Sequence, residues 1–288
     1  MSDAAVNTDC APLSLTRAIA DFPVGNILVR EHRKAAITAA GLEGKLTIHP
    51  DAWLTRGDLE QLAASHRTTL VDDKGNALAW RGDAPDEQSM LQGAGSFLIR
   101  YPWDFLRANE QYVSAIAVEK LEGEVHPNAV IEGTIRLGKG SRILPGVFIE
   151  GNVIIGENCK IGPNCYIRGN TSIGDKCHIG QSVEIKNCLI LSGTNVGHLS
   201  YVGDSVLGEK VNFGAGTTTS NLRHDGANHT SRVDGKMVDT GRRKFGTIVG
   251  DGVHTGINTS IYPGRKFWPK TSTLPGEIVR KDILKSLF

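Results

Sequence analysis

Two short stretches hold side chains whose types and spacing could do chemistry. VGHLSYVGD carries His198 and Tyr201, and NFGAGTTTSNLRHDG carries Asn212, Ala215, Gly216 and Asn221. Arg168 lies 30 residues before the histidine and Lys186 lies 12 before it. Histidine titrates where a base must work at neutral pH. An arginine and a lysine together offer one forked and one point cation, a pair suited to a phosphate dianion. A Gly-Ala-Gly turn lets backbone N–H groups approach a developing oxyanion closely. Each residue also has a plainer reading when taken alone. The histidine would be a surface side chain, Arg168 and Lys186 solvated corner residues, Asn212 a turn asparagine and Tyr201 packing. The elements that carry these residues decide whether they meet.

From Val125 to Leu191 an aliphatic residue falls on every sixth position. The series is Val125, Ile131, Leu137, Ile143, Ile149, Ile155, Ile161, Ile167, Ile173, Ile179, Ile185 and Leu191. Glycine follows Leu137, Ile155, Ile161, Ile173 and Ile179. Neither a 3.6-residue nor a two-residue period produces this. A six-residue period marks a parallel β-helix, in which three hexapeptides make one triangular coil and every aliphatic points inward. The fold class is therefore mainly β: a β-helix over about 121–264, preceded by a small α/β domain. The period continues through Val196-Gly197, Val202-Gly203, Leu207-Gly208 and Phe213-Gly214. It breaks over 217–246, where the chain is polar and charged, and resumes at Ile248-Val249-Gly250 and Thr255-Gly256-Ile257. An insertion of that size on a regular solenoid is usually functional.

Residues 1–108 show no sixfold period. They predict helices over 30–40 and 56–65, the second capped by Thr55. Strands are expected over 45–49, 68–72 and 77–81, the last two joined by a turn at 73–76, with a loop over 82–95. Pro102 opens a helix, PWDFLRANEQYVSAI, which leads through a 109–120 linker helix into the coils. The tail, 265–288, predicts an amphipathic helix from Pro275 that covers the open end.

Net charge is +1 over 288 residues, so nothing in the charge balance calls for nucleic acid or an acidic membrane as partner. No apolar stretch approaches the roughly 20 residues of a membrane span. The start, MSDAAVNTDCAP, has neither a basic nor an apolar leader region, and a cytoplasmic location is expected. The five cysteines, Cys10, Cys159, Cys165, Cys177 and Cys188, form no CxxC and are expected to be reduced packing residues. Asp72 and Asp73 have the type of magnesium ligands, but their DDKGN context predicts a hairpin turn.

In order and spacing the motifs resemble the left-handed β-helix acetyltransferase domain of bifunctional UDP-N-acetylglucosamine pyrophosphorylase/glucosamine-1-phosphate N-acetyltransferases. The resemblance is closest to the archaeal-type sugar-1-phosphate nucleotidylyltransferase/acetyltransferases, which share YPWDLL-like, TTTxNLRxD-like and GRRKxG-like segments. It runs from about Tyr101 to Asp282. It implies a left-handed coil, acetyl-CoA as cosubstrate, no metal for the transfer, and a homotrimer. It further implies N-acetylation of an amino-sugar 1-phosphate, specifically glucosamine 1-phosphate. By the same resemblance His198 is the general base, with Tyr201 and Asn221 beside it. Arg168, Lys186, Tyr201, Asn212 and Lys244 then hold the acceptor, and Ala215, Gly216 and Ile257 meet acetyl-CoA.

The chain departs from the family in two places. The family's nucleotidylyltransferase half opens with a glycine-rich loop, and residues 1–60 contain none; residues 1–108 therefore read as a degenerate, nucleotidylyltransferase-like unit. Lysines expected soon after NLRxD are replaced by GANHTSRVDG, with lysines only at Lys236 and Lys244. Within that segment His224 and His229, five apart, resemble in spacing alone the zinc histidines of γ-class carbonic anhydrases, and the third ligand is missing. The alternatives are an acyltransferase for another amino sugar or a nucleotide-linked amino sugar, a sugar-1-phosphate nucleotidylyltransferase, or a non-catalytic hexapeptide scaffold.

Overall fold

A computed structural model describes residues 8–285; the leader expectation for the first seven residues and the last three of the tail lie outside them. Three parallel sheets of eight, seven and eight strands form the faces of a triangular prism. The first face includes Ile135–Leu137, Val153–Ile155 and Thr171–Ile173, each paired to the next one coil on. The second includes Arg142–Ile143, Lys160–Ile161 and His178–Ile179. The third includes Phe148–Glu150, Tyr166–Arg168 and Glu184–Lys186. The chain visits the faces in that order, and the described residues make eight coils.

Ile143, Ile149, Ile155, Ile161, Ile167, Ile173, Ile179 and Ile185 are all buried in one interior cluster. Burying each such side chain contributes about 1.5–3 kcal/mol. Val125 and Ile131, at the open end, are only partly buried against this cluster. Cys159, Cys165, Cys177 and Cys188 join the same interior as free thiols, and Cys10 is buried among the N-terminal residues.

The last member of the aliphatic series is displaced. Ile173 pairs with Ile190, not with Leu191. Ile190 therefore enters the interior, and Leu191 turns outward into a different cluster. The coil loses one residue at the corner Lys186-Asn187-Cys188, where Asn187 takes a left-handed φ of 52°. The next coil is shortened in the same way between Val202 and Leu207, with Asp204 at φ 49°.

The outside of the first face is buried too. Its sequences, such as Leu189-Ile190-Leu191, are continuously apolar rather than alternating, as expected of a sheet covered on both sides. The outward Leu189, Leu191, Val206 and Ile248 pack against Phe22, Val24, Trp103 and Phe105. The N-terminal unit thus shares a core with the prism. Its helix α1 (Val29–Ala39) precedes α2 (Arg56–Ala64), and Thr55 Oγ1 accepts from the Asp58 N–H at 3.4 Å as the α2 cap. Four strands lie in the order Thr47–Ile48, Ala77–Trp80, Thr69–Val71, Met90–Gln92. The last falls in the expected loop; three residues among polar neighbours left no period to read, and pairing with Thr69–Val71 makes the strand. Helix α3 (Asp104–Ser114) stops before residue 120, because Lys120–Leu121 is already the first coil's opening strand. Fully buried Asn109 docks it: its Oδ1 accepts from Ser172 Oγ at 2.6 Å and its Nδ2 donates to Asn170 O at 3.0 Å.

The tail forms no helix from Pro275 onward among the described residues. Ile278–Val279 is instead the eighth strand of the third face, and Ile283 bridges to Phe267. The exposed edge of the seventh coil offers unpaired backbone groups, and pairing them outweighs the tail's helical pattern. The insertion also begins later than its loss of period suggests. Thr218–Thr219 still pairs on the third face. Beyond it stands an antiparallel hairpin, Thr230–Val233 with Lys236–Asp239, turned at Asp234-Gly235, where both φ values are positive. No helix among the described residues is long and apolar enough to cross a membrane.

Candidate active site

On the third face each strand points its first and third residues outward. Register then stacks Arg168 beside Lys186, Lys186 beside Gly203, and Glu184 beside Tyr201. Residues far apart in sequence thereby share one patch, at about 4.8 Å per coil. Arg168 donates from Nε at 3.0 Å and Nη2 at 2.7 Å to Glu184 Oε1. Lys186 Nζ donates to both oxygens of Asp204, at 2.9 and 2.8 Å. Asp204 is 2% exposed and also accepts from Asn187 Nδ2 at 3.0 Å and Asn221 Nδ2 at 2.6 Å. The second donation of Asn221 Nδ2 goes to Tyr201 Oη at 2.9 Å. Burial, reinforced by the charges of Asp204 and Glu184, pushes the Tyr201 hydroxyl up to about 12. Tyr201 therefore stays protonated and has its hydrogen to give.

Both predicted cations already hold a carboxylate. Glu184 and Asp204 were not among the expected site residues, although the sequence carried signals for both. Glu184 sits two residues before Lys186 on one strand, hence on the same outward side, and Asp204 ends the YVGD motif. Gly203 makes room for the cluster: a Cβ there would lie 2.5 Å from Tyr201 Oη and 2.7 Å from Asn221 Nδ2.

His198 stands exposed on the edge between the second and third faces. Along this edge Gly216 N donates to His198 O at 2.8 Å, Asn258 N to Ala215 O at 2.8 Å and Gly276 N to Ile257 O at 2.7 Å. His198, Ala215, Gly216 and Ile257 therefore follow one another down a single backbone ladder, which brings together the expected base and the expected cofactor positions. A Cβ on Gly197 would sit 2.7 Å from Phe213 O, so the edge stacks this closely only with glycine there.

Asn212 and Lys244 do not join the Tyr201 cluster. Asn212 is exposed on the second face, stacked between Asn195 and His254. Lys244 is exposed at the foot of the insertion, its backbone bridged to Leu222. His229 is buried, with Nε2 3.1 Å from Asn221 O, and burial lowers its pKa. Through that contact it braces the insertion, and both His224 and His229 line a cleft on that side. The insertion's return also closes on the site, with Phe245 N donating to Asn221 O at 3.0 Å and Gly246 N to Asp204 O at 2.9 Å. On the insertion side a cleft of about 560 Å³ is lined by Arg223, His224, Asp225, Tyr262, Arg265 and Arg280.

A family model described as the GMPPB C-terminal domain matches residues 149–264, a stretch that contains every expected site residue. A bifunctional sugar-1-phosphate nucleotidylyltransferase/acetyltransferase from Sulfurisphaera tokodaii is 41% identical over 182 residues, covering 63% of this chain and 45% of that protein. The bifunctional protein GlmU of a Methanococcus maripaludis strain is 44% identical over 190 residues, covering 66% and 46%. This chain is a homologue of the GlmU-type bifunctional proteins. It spans less than half the length of these GlmU-type relatives. The three-faced parallel coil has the β-helix architecture expected from the six-residue period. Among solved structures, the acetyltransferase domain of PglB from Neisseria gonorrhoeae aligns at 14% identity with a TM-score of 0.27, covering 66% of this chain and 70% of that one. A histidine-to-alanine mutant of GDP-perosamine N-acetyltransferase from Caulobacter crescentus, in complex with CoA and GDP-perosamine, aligns at 19% identity with a TM-score of 0.19, covering 55% and 52%.

Proposed function

We propose that this protein is an acetyl-CoA-dependent N-acetyltransferase whose acceptor is an amino-sugar 1-phosphate, specifically glucosamine 1-phosphate. The observation that carries this reading is the edge ladder of His198, Ala215, Gly216 and Ile257, running beside the Tyr201–Asn221–Asp204–Lys186 cluster. The sugar amine is mostly protonated at pH 7, and His198 removes the proton that blocks its lone pair. The freed nitrogen attacks the thioester carbonyl; a C–N bond forms, the C–S bond breaks, and CoA leaves as a thiol carrying a proton. In this reading the Ala215 N–H donates to the oxyanion. Tyr201 donates to a sugar hydroxyl. Arg168 and Lys186 meet the phosphate, and Glu184 and Asp204 hold both cations in a fixed orientation before it arrives.

Thiol release from acetyl-CoA tests the reading against a panel of amino-sugar phosphates. Glucosamine 1-phosphate should be turned over, and absence of release with every member would overturn it.

One observation favours a second reading, in which the amino sugar is nucleotide-linked. The cleft beside the insertion holds three arginines, and its acid, Asp225, is already paired with Arg223. Arg265 and Arg280 there are suited to a diphosphate. The same panel, extended to nucleotide-linked amino sugars, separates the two readings.

A further inference from the structure

The acceptor cluster is held from outside the prism by one carboxylate of the N-terminal unit. Glu110, on α3, accepts from Asn187 Nδ2 at 2.6 Å through Oε1. The same Asn187 nitrogen donates to Asp204 Oδ1. Asn187 is the left-handed residue of the shortened corner, directly after Lys186. Glu110 also forms a two-pronged ion pair with Arg242, one contact being Oε2 to Nη1 at 3.1 Å. Arg242 lies three residues before Phe245, whose N–H, with that of Gly246, closes the insertion on Asn221 and Asp204. The carboxylate therefore ties together two segments distant in sequence: the corner that follows Lys186, and the return of the insertion that holds Asn221 and Asp204.

We infer that Glu110 is a positioning residue for the acceptor site, so that the N-terminal unit is a working part of the acetyltransferase rather than an appended domain. This rests on the reading of the cluster as the acceptor site. The physical argument is one of burial. The Arg242 side chain is 17% exposed, and its Nε is buried with no partner. Without Glu110 a buried guanidinium is left without its carboxylate, which is strongly unfavourable. Arg242 must then move toward water, and the Phe245–Gly246 return moves with it. On the other side Asn187 loses one of its two acceptors, and the corner that aims Lys186 is freed. The His198–Ala215–Ile257 edge makes none of these bonds. The effect should therefore fall on the acceptor and spare acetyl-CoA.

The test uses the full chain with Glu110→Ala, Glu110→Gln and Arg242→Met. Glu110→Ala should raise KM for glucosamine 1-phosphate roughly tenfold or more, the effect of losing one hydrogen bond to a charged group, with KM for acetyl-CoA within about twofold. Arg242→Met should reproduce part of the effect. Glu110→Gln, which still accepts from Asn187 but cannot neutralise Arg242, should fall between wild type and Glu110→Ala. A lowered Tm with acceptor KM unchanged, or an equal rise in both KM values, would overturn the inference. Hydrogen exchange supplies a readout that needs no activity: the Asn187, Cys188, Phe245 and Gly246 amides should exchange faster in Glu110→Ala. If wild-type protein acetylates no amino sugar, the acetyltransferase reading has failed by itself. Unchanged exchange at those four amides in Glu110→Ala sinks the clamp in either case.

Discussion

Asp204 meets Lys186, Asn187 and Asn221 at once, and its burial means that none of these partners is dispensable. In the proposed reaction this cluster orients the acceptor, and removal of the amine proton falls to His198. The two kinds of residue should separate kinetically. His198→Ala should lower kcat by roughly 10²–10⁴-fold while acetyl-CoA affinity stays close to wild type, because the base acts only as the amine attacks. Arg168→Ala and Lys186→Ala should act mainly on KM for the phosphorylated sugar, since they meet a charge present in ground and transition states alike. Cys159→Ser, inside the coil, is the control and should leave the kinetics unchanged. Near-wild-type turnover by His198→Ala on every acceptor tried would bring the scaffold reading to the front.

At the scale of elements, two kinds of stability are in play. The coil depends on uninterrupted apolar stacking. Ile161 is fully buried between Ile143 and Ile179. Ile161→Asp would bury an unpaired charge at a cost on the order of several kcal/mol, comparable with the whole stability of many domains, about 5–15 kcal/mol. The variant should lose its cooperative melting transition, followed by far-UV circular dichroism. In the N-terminal unit stability is tied to charge. Burial alone would raise the Asp58 pKa, but hydrogen bonds outweigh it and hold it below the usual carboxylate value. The donors are the Ser96 hydroxyl and the N–H groups of Ala94 at 2.8 Å, Gly95 at 3.0 Å and Ser96 at 2.6 Å. A depressed folded-state pKa stabilises above the unfolded value, roughly 3.9, and that contribution disappears as pH falls through the lower folded value. Urea titrations between pH 6 and pH 2 should show Asp58→Asn less stable than wild type at pH 6, with the gap closing below about pH 4. A gap that stays constant with pH would show that Asp58 acts through packing alone.

At the scale of the molecule the edge ladder is open to solvent on one side. Around it Leu199 is 72% exposed, Ile257 53% and Ile278 52%, so a cofactor laid there would have one wall. We propose a homotrimer in which a neighbouring prism supplies the other wall and the insertion reaches over the adjacent subunit. Light scattering at micromolar concentration should give three times the 31.0 kDa chain mass; a monomer alone would defeat the proposal.

The six-residue period by itself determined the coil, most of its interior residues and which side of each strand points outward, because inward positions on flat faces must repeat. The motifs pointed to His198, Tyr201 and Asn221. The period could not show where a corner loses a residue. Ile190 and Leu191 are both aliphatic, so a one-residue slip left the series looking intact, and pairing with Ile173 decided which of them is interior. The two shortened corners carry Asn187 and Asp204 in left-handed conformations, where the Lys186–Asp204–Asn221 cluster forms. The tail's apolar pattern suited a helix, and only the unpaired edge of the seventh coil made it a strand. Least visible in sequence was the reach of α3. Glu110 meets Asn187 across 77 residues and Arg242 across 132, and such contacts exist only after the continuously apolar first face has found a cover.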